Sequence, residues 1–173
     1  ESGMVVRSLL SAGVDTTVTA LGNALWCFAR FPEQFQLLRE QPALARPAFD
    51  EVLRYTSPVH TFCRTADADT IVGDTPIAAG TKILCVLGSA NLDERHWPAA
   101  DQFDVTRKPV GHLALGTGIH QCVGQNVARA EGEAVLLALA EKVAHIEFDG
   151  DPIWRANNAI HALDQLPLKL RAA

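Results

Sequence analysis

Apolar residues near the start of the chain fall on several faces at helical spacing: Val5, Val6, Leu9, Leu10, Leu21, Leu25 and Trp26. The pattern predicts one helix over residues 1 to about 29, apolar most of the way round, as in a helix that crosses a core. Phe31-Pro32 ends it, because proline pushes the residue before it out of the helical region. A short charged helix is expected over 33–40. Pro42 and Pro47 then punctuate the approach to a helix over about 43–55, with Pro47 suited to a first turn. Ser57-Pro58 stops that helix, and Val59 to Arg64 follows as an extended segment. Thr70–Ile77 and Thr81–Leu87 read as two strands joined by the turn Ala78-Ala79-Gly80, giving a small antiparallel sheet. A short helix is capped around Ser89–Asp93, and an irregular meander runs from His96 to Lys108. Val127, Ala130, Ala134, Leu137 and Ala138 recur at helical spacing, so a last helix is expected from Cys122 to about Lys142. Ala144–Phe148 alternates, and Leu166–Leu170, with its proline, reads as an edge strand. The fold class is therefore mainly α with small β-sheets.

Composition narrows the function classes only slightly. The 173 residues are 48% hydrophobic and 20% charged, which fits one globular unit. No apolar run is expected to span a bilayer, so no membrane partner is expected. The net charge of −5 argues against nucleic acid as a partner. Cys27, Cys63, Cys85 and Cys122 form no CxxC pair, against a zinc site or disulfide framework and for a reduced, cytoplasmic setting. Cys63 and Cys85 read as small buried hydrophobes. His112 is expected to be structural or exposed, and His145 and His161 structural.

The stretch from Gly111 to Leu139 holds the most specific chemistry. Gly111, Gly116, Gly118 and Gly124 space a loop whose backbone can approach a flat partner closely. Cys122 lies where that loop runs into a helix, and a helix N-terminus favours negative charge. A thiolate in a glycine loop suits an axial metal ligand. The run Leu115-Gly116-Thr117-Gly118-Ile119-His120-Gln121-Cys122-Val123-Gly124 resembles the haem-binding loop of cytochrome P450, F-x-x-G-x-x-x-C-x-G. Leu115 stands where that family carries Phe beside the sulfur.

Two further motifs occur in the family's order. Ala12-Gly13-Val14-Asp15-Thr16-Thr17 resembles the oxygen-activation motif A-G-x-D/E-T-T, and Glu51-Val52-Leu53-Arg54 resembles E-x-x-R. The meander from Ala90 to Arg107 is similar to the family's segment there, with Trp97 for Phe and Ala100 for Pro. The resemblance covers the whole chain, and family members carry a longer segment before the first motif. It therefore implies the C-terminal part of a single cytochrome P450 domain over 1–173, with the N-terminal part absent.

The resemblance implies haem b as cofactor, with Cys122 as its axial ligand in a cradle that includes Gly116, Gly118 and Gly124. It also implies dioxygen as co-substrate, with Asp15 and Thr16 delivering protons. The alternative for Thr16, Ser8 and Ser11 is that hydroxyls simply bond back to the helix. Arg64 and His120 match propionate partners, against the alternative of a solvent-facing Arg and a loop His. Val59 and Phe62 would face substrate, although Phe62 reads almost as well as plain core. Glu51 and Arg54 are implied to form a buried ion pair with Arg107, against the alternative of a solvated surface pair. Segments such as SPVHTFCRT and LGSANLDERHW resemble the bacterial subfamily that oxidises para-substituted benzoates, including 4-methoxybenzoate. There Ser8 and Ser11 match carboxylate-binding serines, and the adjoining Arg7 would add positive charge nearby, because an anion in an apolar pocket needs such donors. The expected activity is monooxygenation of a small aromatic acid, by hydroxylation or O-demethylation, with electrons from a ferredoxin and its reductase. The alternative is an inactive truncated fragment, or a haem-binding module that needs a separate N-terminal part.

Overall fold

The computed structural model describes residues 2–173. Helix α1 runs Ser2–Arg30 and ends before Pro32, which opens α2 (Pro32–Glu40). A single 3₁₀ turn, Pro42–Leu44, leads into α3 (Ala45–Thr56). Strands β1 (Thr61–Thr65), β2 (Thr70–Val72), β3 (Thr75–Ile77) and β4 (Lys82–Val86) follow, then the short α4 (Leu87–Asn91). After a long irregular stretch come α5 (Gln125–Lys142) and strands β5 (Val143–Phe148), β6 (Ile153–Trp154), β7 (Leu163–Gln165) and β8 (Leu168–Ala172). The expected class, helices with small sheets, is what forms.

The core lies where the C-terminal part of α1 meets α2, α3 and α5. Phe28, Phe35, Leu38, Phe49, Val52, Val105 and Leu136 are buried there. Phe28 packs on Phe35 and Phe103 with ring centroids 5.3 and 6.0 Å apart, which draws the meander onto the helices. Gly132 brings α5 flat against α3: a Cβ there would overlap the Phe49 ring.

Burial along α1 differs from the expectation. Thr19, Ala20, Asn23, Ala24, Cys27 and Phe28 are buried, but Val5, Val6, Leu9, Leu10, Val14 and Val18 are exposed. An all-round apolar pattern marks surfaces that want cover and does not say what covers them. Helix α1 is also long and apolar enough to cross a membrane by length and composition, which corrects the expectation that no run would be. Its C-terminal part is used here as a core element, with Asn23 donating to the Thr56 hydroxyl at 3.2 Å and the His161 carbonyl at 3.0 Å.

The strand pairing differs too. Residues 70–77 do not form one strand. They fold on the two-residue loop Gly73-Asp74 into the hairpin β2–β3, with Val72 opposite Thr75 and Gly73 at φ +58°. Strand β4 pairs with β1, Phe62 opposite Cys85 and Arg64 opposite Ile83, so the Ala78–Gly80 turn does not join two paired neighbours. Alternation alone does not reveal partners, and the glycine that breaks the run was the available signal. Strand β8 lies two residues beyond its expected position, paired with β5, and the very short β6 and β7 carry too little pattern to read.

Candidate active site

Helix α3 positions the first cluster. Glu51 and Arg54 stand one turn apart with fully buried side chains. Arg54 Nε donates to Glu51 Oε2 and Nη2 to Oε1, both at 2.8 Å. Its remaining donors reach the carbonyls of Asn91 (2.8 Å), Ala100 (2.9 Å) and Gln102 (3.2 Å). Every guanidinium N–H thus has an acceptor, which a buried charge requires. Arg107 donates through Nε to Glu51 Oε1 at 3.1 Å, and its Nη1 and Nη2 reach the carbonyls of Pro98 and Ala99. The sequence is thus brought together over 56 residues, and the cluster clamps the meander against α3. Next to it burial pushes the Cys27 thiol well above its ordinary pKa, with the Glu51 charge adding to the shift, so this cysteine is an inert core group.

The meander delivers the chain to the cysteine loop. Asn91 donates to Ser57 Oγ at 2.8 Å and accepts from the Leu113 amide at 2.7 Å, linking the left-handed C-cap of α3 (Ser57, φ 42°) to the start of the loop. The turn Leu113–Leu115 closes with the Gly116 amide on the Leu113 carbonyl, and the Cys122 amide donates to the Leu115 carbonyl at 2.8 Å. Gly116 sits at φ +68°, and a Cβ there would come 2.7 Å from the His120 carbonyl, so the loop closes only with glycine. Gly118 also has a positive φ, +60°, whereas Gly124 has ordinary geometry as N-cap of α5. A Cβ on Gly124 would lie 3.9 Å from Cys122 Sγ. Helix α5 begins at Gln125, three residues later than expected, so Cys122 lies in the turn before it.

A cavity of about 450 Å³ opens in front of this loop. Cys122, His120, Gly116 and Leu115 form one wall; Val59, Phe62 and Arg64 of the extended segment form another; Ala12, Thr16, Thr17 and Ala20 of α1 line a third, and Leu53 of α3 contributes from below. Arg64 is exposed, donates to the Cys63 carbonyl at 2.9 Å and lies 5.6 Å over the Phe62 ring. Phe62 is 52% exposed, so it is not core. Cys63 is exposed and Cys85 half-buried on the cavity wall, which corrects the reading of both as buried hydrophobes.

Arg7, Ser8, Ser11 and Asp15 are exposed on α1, outside the residues that line this cavity. Ser8 and Thr16 donate to the carbonyls of Met4 (2.9 Å) and Ala12 (2.7 Å), so both hydroxyls bond back to the helix while Thr16 still lines the cavity.

Sequence reasoning missed the polar groups behind the loop. His112 is buried and accepts the Ala114 amide on Nδ1. Its Nε2 faces Asp50 Oδ1 at 3.6 Å, and Arg129 Nε donates to the same oxygen at 2.7 Å. Desolvation of Asp50 is outweighed by the His112 ring facing it and by the Arg129 guanidinium bonded to it, which hold its pKa below the usual value. Helical spacing places Asp50 and Arg129 on inward faces, but nothing in the sequence pairs positions 79 residues apart.

The arrangement is one thiol in a glycine-rich turn, with apolar walls, two basic side chains and a hydroxyl-bearing helix around one cavity. This donor set fits a flat, largely apolar, anionic group bearing a metal that accepts sulfur: haem, with Cys122 at the iron and Arg64 and His120 able to meet carboxylates.

The cytochrome P450 family profile matches residues 3–152. Cytochrome p450 CYP199A2 of Rhodopseudomonas palustris is 51% identical over 173 residues, all of this chain and 42% of the relative. The beta-dihydromenaquinone-9 omega-hydroxylase of Mycobacterium bovis is 39% identical over 158 residues, 91% of this chain and 32% of the relative. Among solved structures, cytochrome P450 CYP109Q5 from Chondromyces apiculatus superposes with a TM-score of 0.91 at 36% identity, covering 96% of this chain and 44% of that one. The chain thus spans less than half the length of these relatives, and it belongs to the cytochrome P450 family.

Proposed function

We propose that this chain carries the haem-binding and oxygen-activating part of a monooxygenase that acts on a small aromatic acid, a para-substituted benzoate. The observation that carries the reading is the single cavity shared by Cys122, Arg64, His120 and Thr16. Haem, when bound, supplies the redox chemistry by which dioxygen is reduced and one oxygen atom enters a C–H bond. The chain's own residues do the rest. Cys122 would supply a thiolate to the metal, Arg64 and His120 would offset carboxylate charge, and Gly116 and Gly118 would let the backbone approach. Thr16 holds a proton at Oγ1, now donated to the Ala12 carbonyl, and can redirect it into the cavity by rotating χ1; Asp15 beside it is an exposed proton source. The hydroxylase name of one relative supports oxygen insertion.

The substrate class rests on the resemblance to the benzoate-oxidising subfamily and on the Arg7, Ser8 and Ser11 stripe, one and two turns before Asp15. Ferredoxin and its reductase remain the expected electron donors, in a bacterial cytoplasm. A second reading is favoured by the exposed apolar half of α1, where Met4 is 76% and Leu10 64% exposed. On that reading the chain is a haem-binding module that works only with a separate N-terminal part, whose apolar surface covers this face. Haem titration followed by absorption tests the ligand assignment: Cys122→Ser is expected to lose the thiolate-type spectrum that the unaltered chain gives, and retention of that spectrum would assign the ligand elsewhere.

A further inference from the structure

The polar cluster behind the cysteine loop joins residues that none of the recognised motifs contains. The Ala114 amide donates to His112 Nδ1 at 3.2 Å. A neutral imidazole that accepts on Nδ1 must carry its proton on Nε2. That nitrogen is buried, has no hydrogen-bond partner among the described residues, and faces Asp50 Oδ1 at 3.6 Å. Asp50 is in turn oriented by Arg129, whose Nη1 also donates to Gln125 Oε1 at 2.7 Å. The capped amide belongs to the turn Leu113–Leu115, and the last carbonyl of that turn accepts the Cys122 amide at 2.8 Å.

We propose that His112 is the positioning residue for the Cys122 thiol: its Nδ1 lone pair fixes the turn whose Leu115 carbonyl anchors the cysteine backbone. Asp50, held by Arg129, favours the ring tautomer that leaves this lone pair free, as outer-shell carboxylates do for ligand histidines. The functional meaning rests on Cys122 as the axial ligand, but the positioning can be measured without haem.

The experiment is amide hydrogen exchange on the whole chain, comparing the unaltered protein with His112→Leu, His112→Asn and Asp50→Asn. Loss of an N-cap acceptor in His112→Leu is expected to speed exchange at the Cys122 amide by roughly fivefold or more. His112→Asn, whose carboxamide oxygen can accept the same N–H, is expected to restore slow exchange, with the α3 amides unchanged throughout. Asp50→Asn keeps the ring but removes the carboxylate, and is expected to give an intermediate rate. Unchanged exchange at Cys122 in His112→Leu would overturn the proposal, as would equal speeding in Leu and Asn. If His112→Leu unfolds, the Asn and Asp50→Asn variants decide on the same criteria. Haem added to the unaltered protein separates the two readings: no thiolate signature, with the exchange pattern intact, sinks the ligand assignment and leaves the positioning role standing.

Discussion

Glu51→Gln removes the one carboxylate on which two guanidinium groups converge. Glu51 accepts from Arg54 twice at 2.8 Å, from Arg107 at 3.1 Å and from the Asp104 amide at 3.2 Å. The amide keeps the shape but leaves Arg54, fully buried, with an unbalanced charge. Breaking a buried pair from one side costs about 3–5 kcal/mol. For a domain of this size each kcal/mol moves the melting midpoint by about 2–4 °C, so a fall of roughly 6–20 °C is expected. The loss is a large share of a typical stability of about 5–15 kcal/mol. Urea denaturation read by tryptophan fluorescence gives the free energy, and the slope checks that the unfolded state is unchanged. Combining Glu51→Gln with Arg54→Met closes a cycle, and contacting residues should couple by about 0.5–3 kcal/mol. A loss under about 1 kcal/mol, the value of an exposed pair, or simple additivity would refute a buried clamp.

Gly132→Ala presses a Cβ into the Phe49 ring, and overpacking of this kind should cost about 1–3 kcal/mol in the same assay. Burial holds the His161 pKa below its ordinary value, with the nearby His60 adding to the shift and the bond to the Thr56 carbonyl opposing it. The unfolded chain therefore takes up this proton first, so stability should fall as pH drops below about 6.5 and level off below the folded pKa; His161→Asn should flatten that slope, and an unaltered slope would exclude His161 as its source. Ser11→Ala should weaken binding of a benzoate more than of its neutral analogue, and equal losses would exclude a carboxylate site at that stripe.

Much of this site was legible because its chemistry is local. The glycine spacing around Cys122, the Glu51–Arg54 turn and the proline stops at Pro32 and Pro58 each lie within a few residues, and each element formed close to its expected bounds. What sequence reasoning missed is non-local. Strand β4 chose β1 across an inserted hairpin, and His112 meets Asp50 and Arg129 only after α3 and α5 pack. Burial was misread wherever hydrophobicity stood in for contact: along the exposed half of α1, at Cys63 and at Cys85, whereas Phe62 lines the cavity as expected. Thr16 shows both readings at once, bonded back to its helix yet lining the cavity.

A reduced, carbon-monoxide difference spectrum of this chain reconstituted with haem tests most directly whether Cys122 is the iron ligand. Ligation by Cys122 is expected to give the long-wavelength band of thiolate ligation, abolished by Cys122→Ser and kept by Cys63→Ser. A shorter-wavelength band from the unaltered chain would mean that haem binds without the Cys122 sulfur, and would contradict that ligation.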